Sequence, residues 1–354
     1  MKKTVKFKFF LSALLFAALA LVGCSSSSST TPAKEPSPQE VPLVEQSEAV
    51  RGVVDNYLSS HKITSLTPEE LYQIVRAHDP NYFLVDIRAN GDFVAGNIES
   101  SVSIPYAQTS DPERLANLPK DKILVVIDYN GHLAAQTAAT WNLLGYEAVP
   151  LLYGVQSWTQ DISATGYDPF PAEPLNYPLV TEVKATSIIQ ETLPEIQYPE
   201  GQTQDYLVHA AKTYLDRNYK GIITAEELYD SLEKGKTEQF FLVDIRKPEH
   251  YRAGHIEGSI NIPLEQLAKI DSLKSFPPDK RLVLIGYNGL DASQGVRCLV
   301  TLGYDCVALK YGMSYWGSEE QTTGVAPIHD FVQDHYQLIP LNYVVPSTGA
   351  AGCG

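Results

Sequence analysis

Two six-residue segments combine residue types and spacing that could hold an anion or carry polar chemistry. Asp128-Tyr129-Asn130-Gly131-His132-Leu133 follows the apolar run Ile123 to Ile127, and Gly286-Tyr287-Asn288-Gly289-Leu290-Asp291 follows Leu282 to Ile285. A glycine-containing turn between a strand and a helix aims backbone N–H groups at one spot, and the helix dipole adds positive potential there. Asp128 is expected to bond the loop amides as a carboxylate in that field. Asp291 opens Asp291-Ala292-Ser293-Gln294, which reads as a capping box, so it is expected to cap a helix. As a general base Asp128 lacks a partner acid or base nearby in sequence. Thiol chemistry rests on Cys24, Cys298, Cys306 and Cys353. Cys298 falls on a helical stretch and Cys306 on the next short strand, so in an oxidising compartment they are either bridged or two buried thiols. The eight histidines show no metal-ligand spacing, and no metal or other cofactor is expected.

Both loops stand in a duplicated frame. Phe83-Leu84-Val85-Asp86-Ile87-Arg88 recurs 158 residues later as Phe241-Leu242-Val243-Asp244-Ile245-Arg246. Ala95-Gly96-Asn97-Ile98 recurs as Ala253-Gly254-His255-Ile256, Leu144-Gly145-Tyr146 as Leu302-Gly303-Tyr304, and Tyr153-Gly154 with Trp158 as Tyr311-Gly312 with Trp316. Upstream the offset is 157, as between Tyr57 and Tyr214. Downstream, Pro174-Leu175-Asn176-Tyr177 is echoed by Pro340-Leu341-Asn342-Tyr343. Each copy reads as α/β. Thr67-Pro68-Glu69-Glu70 and Thr224-Ala225-Glu226-Glu227 are capping boxes, each followed by a helix and then by an apolar strand buried on both faces. A second apolar strand leads through the loop into a helix ending at Gly145 or Gly303, and a short strand follows. Alternation at these lengths predicts a central, mostly parallel sheet with helices on both faces. Asp86 with Arg88, and Asp244 with Arg246, are expected to be buried pairs at the strand end. The copies, with their extensions, are placed at 49–180 and 206–346, joined by a linker over 181–205, and a pseudo-twofold arrangement is expected.

Leu242 to Pro263, through Asp244-Ile245-Arg246-Lys247-Pro248-Glu249-His250-Tyr251-Arg252-Ala253-Gly254-His255, resembles the signature of rhodanese (sulfurtransferase) domains. The first copy follows it more loosely, with Asn97 for the His and Ser100 for a Gly. The resemblance covers 64–160 and 222–318 and implies two tandem rhodanese-like domains. In active members a Cys opens the loop Cys-x-x-Gly-x-Arg; the loop amides stabilise its thiolate and persulfide, and the Arg holds an anionic donor such as thiosulfate. Counting from Gly131 and Gly289, the Cys positions fall on Asp128 and Gly286, and the Arg positions on Leu133 and Asp291. From loop glycine to helix-ending glycine is 14 residues in both copies, so the alignment is well set. The resemblance therefore implies the fold without catalytic residues. Tyr129 and Tyr287 are expected at the pocket mouth, filling space a substrate would use, and His255 at a structural position. Cys353, between Gly352 and Gly354 in the tail 347–354, is similar to the glycine-flanked Cys arm of the Sox sulfur carrier. That likeness implies an alternative reading, a sulfur relay with a persulfide on Cys353.

The first 23 residues are basic and then apolar, the layout of a secretory signal. Leu21-Val22-Gly23-Cys24 resembles the lipobox of bacterial lipoproteins, which implies lipidation of Cys24. Residues 24–48 are Ser- and Pro-rich, a tether too polar to fold. Without the signal, 23 basic residues face 42 acidic ones. Such a chain repels phosphate backbones, which excludes nucleic acid as a partner. The expected protein is a lipid-anchored, extracytoplasmic envelope protein with two silent domains, acting as a binding or scaffolding module toward the membrane or another envelope protein.

Overall fold

The computed structural model describes residues 43–60, 64–166, 168–183, 192–194, 196, 201–217, 219–331 and 336–341. The signal, Cys24, most of the tether and the tail with Cys353 lie outside them. In the first copy the elements are α1 (Leu43–Ser59), α2 (Pro68–Ala77), β1 (Tyr82–Asp86), α3 (Asn90–Ala95), β2 (Val102–Ser103), α4 (Pro112–Ala116), β3 (Ile123–Ile127), α5 (His132–Leu143), β4 (Glu147–Pro150) and α6 (Gly154–Trp158). In the second they are α7 (Thr203–Asp216), β5 (Ile222–Ile223), α8 (Ala225–Glu233), β6 (Phe240–Asp244), α9 (Pro248–Ala253), β7 (Ile260–Asn261), α10 (Ile270–Leu273), β8 (Arg281–Ile285), α11 (Leu290–Thr301), β9 (Cys306–Leu309), α12 (Gly312–Trp316) and α13 (Glu320–Thr323). Helix α1 begins within the stretch expected to be tether, directly after its last proline, and α7 begins before the expected end of the linker, after Gln202. Among these elements no helix is long and apolar enough to cross a membrane.

Both sheets are parallel, ordered β2-β1-β3-β4 and β5-β9-β8-β6-β7. Val85 pairs with Val126 and Val243 with Leu284, so the register repeats with the sequence. Both predicted capping boxes form: Thr67 and Thr224 accept from the amides of Glu70 and Glu227, whose carboxylates reach back to the Thr amides. At the ends of β1 and β6, Arg88 and Arg246 lie fully buried against Asp86 and Asp244, at 2.7 and 2.6 Å. Their remaining N–H groups bond the carbonyls of Gly96 and Ala164, or of Gly254 and Thr323. A buried pair offsets its desolvation only with such added bonds.

The described residues belong to one compact unit, and the two copies share a core. Ten of the twelve residues of α5 are buried, and so are ten of α11. The helices pack on each other, with Ala134, Ala138, Ala292 and Val296 in one apolar cluster. Helix α1 reaches across to the second copy, where Tyr57 donates to Gln294 at 2.5 Å and Asp55 pairs with Lys269 at 2.9 Å. Helix α7 answers it: Tyr214 donates to Gln136 of the first copy at 3.0 Å. This reciprocity is a pseudo-twofold relation.

The segments after each copy are exchanged in the same way. Tyr177 stacks on Tyr229 at 3.9 Å, and Val180 bridges to His255. Tyr336 stacks on Tyr72 at 4.1 Å, and Ile339 bridges to Asn97. The structural counterpart of Tyr177-Pro178-Leu179-Val180 is thus Tyr336-Gln337-Leu338-Ile339. The echo of Pro174 to Tyr177 in Pro340 to Tyr343 is not the equivalence the packing uses, because stacking and bridging select the aromatic and the aliphatic ends of the arm.

Cys298 and Cys306 are two buried free thiols and not a bridge. Each side chain is packed into the shared apolar cluster, and burial pushes both thiols well above their ordinary range. Such inert thiols resist thiolate chemistry.

Because the arms are exchanged, a protease site placed between residues 183 and 192 and then cut should leave one species on gel filtration and a single unfolding transition. Two separable folded halves would contradict the exchange. Arg246→Met should cost about 3–5 kcal/mol in urea unfolding by leaving Asp244 buried and unpaired. The double variant Asp244→Leu, Arg246→Met should recover part of that loss.

Candidate functional site

The two loops sit at the carboxyl ends of β3 and β8, where parallel sheets of this kind hold ligands. Gly131 and Gly289 adopt φ of 88° and 82°, and an added Cβ would come within 2.9 Å of the Tyr153 nitrogen or 2.6 Å of the His132 ring. The backbone beyond presses just as close. A Cβ on Gly154 would lie 2.4 Å from the Asp128 carbonyl, and one on Gly312 2.5 Å from that of Gly286. Those carbonyls accept from Val155 and Met313, which is why Tyr-Gly recurs at 153–154 and 311–312.

Each loop holds a carboxylate of the protein itself, reached from opposite ends. In the first copy Asp128 is buried, and its oxygens accept from the amides of Gly131 at 2.5 Å and Leu133 at 2.9 Å. In the second copy Gly286 stands there instead, and Asp291, five residues on, folds back. Its Oδ2 accepts from the amide of Tyr287 at 2.9 Å. A Cβ on Gly286 would meet its Oδ1 at 2.1 Å, so the carboxylate fills the space a side chain at 286 would need. This corrects the expectation that Asp291 caps a helix. The N-cap is Gly289, and Asp291, within the first turn, bonds the loop because an empty position 286 leaves the Tyr287 amide open to it. Burial raises both carboxyl groups. Asp128 reaches about 6, with the loop amides pulling it down and Asp86 pushing it further up.

The tyrosines close each loop from the side. Tyr129 Oη accepts from the Ala89 amide at 3.1 Å and donates to Asp92. Tyr287 Oη accepts from the Lys247 amide at 3.0 Å and meets His250 Nδ1 at 2.7 Å. They strap the loop to the helix after β1 or β6. Asn130 and Asn288 accept from the amides two residues on, at 3.3 and 3.0 Å. His255 is structural: its Nδ1 bonds the Tyr251 carbonyl at 2.8 Å, as Asn97 Nδ2 bonds that of Phe93 at 3.1 Å.

The loops also face one another. His132 leaves the first loop and enters the second, with Nε2 accepting from the Tyr311 amide at 3.2 Å and Nδ1 at 3.0 Å from Ser293 Oγ. The ring is therefore protonated on Nδ1. Complete burial, with Lys310 nearby, holds its pKa down at about 3, so it is neutral. Leu290, its counterpart, packs the other way against Ala135 and Tyr153. Lys310 pairs with Asp168 at 2.8 Å, and Tyr311 donates to Gln156 at 2.7 Å across the same junction. Sequence reasoning did not find His132, Lys310 or Gln156 as junction residues. The one available signal was that His132 and Lys310 break the repeat, facing Leu290 and Leu152.

Residues 67–161 and 224–319, more than half of the chain, match the rhodanese-like domain, and the chain belongs to that family. It is similar to the adenylyltransferase and sulfurtransferase uba4 of Ogataea parapolymorpha, with 29% identity over 36% of this chain and 34% of that protein. The probable adenylyltransferase/sulfurtransferase MoeZ of Mycobacterium tuberculosis is 27% identical over 54% of this chain and 46% of its own length. The chain thus spans about a third to a half of these two relatives. The thiosulfate sulfurtransferase GlpE of Pseudoalteromonas translucida is 30% identical over 24% of this chain and 81% of its own. Among solved structures, a thiosulfate sulfurtransferase from Pseudomonas aeruginosa matches 75% of this chain and 46% of its own, at 17% identity and a TM-score of 0.27.

His132 makes the fold sensitive to acid. Its folded pKa lies below the unfolded one, so between about pH 6.5 and 3 the unfolded chain binds the extra proton and stability falls as pH falls. Asp128, raised to about 6, works the other way between about pH 4 and 6. His132→Leu should therefore change the slope of unfolding free energy against pH over this range by up to about 1.4 kcal/mol per pH unit. Parallel profiles for the two proteins would show that the imidazole is not held neutral.

Proposed function

We propose that this protein is a catalytically silent tandem rhodanese-like module that binds or scaffolds a partner at the cell envelope, held there by lipid on Cys24. The observation that carries this reading is the pair of carboxylates, Asp128 and Asp291, in the two loop cradles. A donor such as thiosulfate is an anion and would have to displace a charge of its own sign that already takes the amides. The loop residues supply no thiol, and the closure by His132 and the two tyrosines further supports silence. Uba4, MoeZ and GlpE are named as sulfurtransferases, and transfer of sulfur is the activity from which this chain is proposed to have departed. The anchor, on the periplasmic face of an outer membrane or the outer face of a cytoplasmic one, would leave both domains free to meet another envelope protein.

The test is thiosulfate:cyanide sulfurtransferase activity together with intact mass after incubation with a sulfane-sulfur donor. No turnover and no reducible gain of one sulfur is the expected result. Robust turnover that persists in Cys353→Ser would overturn the silent reading at the loops, and a persulfide mapped to Cys353 would replace it with a sulfur relay. A diacylglyceryl mass on the N-terminal peptide of membrane-extracted protein would test the anchor at Cys24.

A further inference from the structure

At the end of the second sheet opposite its loop lies a groove of about 540 Å³. Its apolar wall includes Tyr229, Leu232, Phe240 and Trp316. Charged groups at its rim are Glu233, Glu238 and Glu257, with Lys280 the one cation among the lining residues. The matching groove of the first copy, lined by Val75, Tyr82 and Glu99 among others, holds only about 150 Å³. The duplication therefore contains its own comparison.

Tyr72 and Tyr229 occupy equivalent places on α2 and α8, and an aromatic arm stacks on each. In the first copy the protein supplies a cation to that ring: the Arg76 guanidinium lies 5.9 Å from the Tyr72 centroid. Its counterpart in the second copy is Glu233, an exposed carboxylate beside Tyr229 and on the groove rim. The internal cation has been exchanged for an anion, and the cavity is more than three times larger. An aromatic face attracts a cation through its quadrupole, and carboxylates beside it add to the attraction. A volume of this size suits a small molecule, with apolar walls for its body and a few polar groups to orient it.

The geometry points to a binding site in this groove for a small amphipathic organic cation. Its ammonium head sits among Glu233, Glu238 and Tyr229, and its apolar body lies along Leu232, Phe240 and Trp316. The predominance of carboxylates over the single Lys280 excludes organic anions, including the anionic donors of sulfur transfer. The first copy, with Arg76 in place of Glu233, does not bind such a cation.

The test is titration of the full-length protein with benzyltrimethylammonium, read by calorimetry and by Trp fluorescence. Neopentylbenzene, its neutral isostere, and benzoate are run beside it. One saturable site for the cation is expected, with at least tenfold weaker binding of both comparators. Glu233→Arg, which copies the first domain, should lose at least tenfold in affinity while its thermal unfolding is unchanged. Glu238→Gln, a milder change, should lose several-fold and guards against a folding defect in the first variant. Equal binding by wild type and both variants, equal binding of the neutral isostere, or no saturable site would overturn the assignment. Sulfurtransferase assays read the loops at the other end of the sheet, so failure here and failure of the silent reading are told apart.

Discussion

Helices α5 and α11 are buried on nearly every side, and that burial governs the rest of the molecule. A helix at the edge of an α/β layer ordinarily keeps one polar face in water. Here each buries small apolar residues, among them Ala134, Ala138, Ala292 and Val296, together with a few polar ones, and each becomes the other's solvent shield. Neither copy can expose those residues alone without losing the burial that stabilises it. Polar groups inside the contact are paired across it only in part: Arg297 Nε donates to Thr140 at 2.9 Å and the guanidinium lies 3.9 Å from the Tyr214 ring centroid, while its Nη1 meets no hydrogen-bond partner among the described residues. The loops that open α5 and α11 are therefore brought face to face, which is how His132 comes to rest within the opposite loop.

The loops show how one physical demand can be met from two sequence positions. Converging amides at the start of a helix need an acceptor once they are out of water. In the first copy the acceptor comes from Asp128 at the head of the loop, and in the second from Asp291 at its tail, over a glycine. Each loop carries one of the two aspartates, so the electrostatic outcome is shared while the residues are not. A carboxylate kept there by several amides is held against its own desolvation, and burial raises its pKa without removing it from the cradle.

Much of the fold was legible in the residues. The repeated Phe-Leu-Val-Asp-Ile-Arg segment, the capping boxes and the helix-ending glycines place the main strands and helices of each sheet, because period, caps and turns are local properties. The Asp–Arg pairs were legible too, since charges two residues apart in a buried strand have few partners but each other. The arms were not. Pro174-Leu175-Asn176-Tyr177 and its echo at 340–343 look like a repeat, yet Tyr336 and Ile339 do what Tyr177 and Val180 do. Identity of letters was a poorer guide there than a stacking ring three residues before a bridging aliphatic residue.

The sequence by itself determined the duplication, from a register held at an offset of 158 residues, and the parallel α/β architecture and the position of both loops, from patterns within some tens of residues. It also placed acidic side chains where a nucleophile and its cation would be expected. Only the tertiary structure decided that Asp291 turns back to fill the space above Gly286, that His132 is neutral in the opposite loop, and that each copy wears the other's arms. It decided as well that Glu233 borders an open groove while the Arg76 guanidinium lies 5.9 Å from the ring centre of Tyr72. The reason is physical: these outcomes depend on which surfaces lose water together and on which way a side chain turns once the loops are packed, and neither leaves a period in the chain.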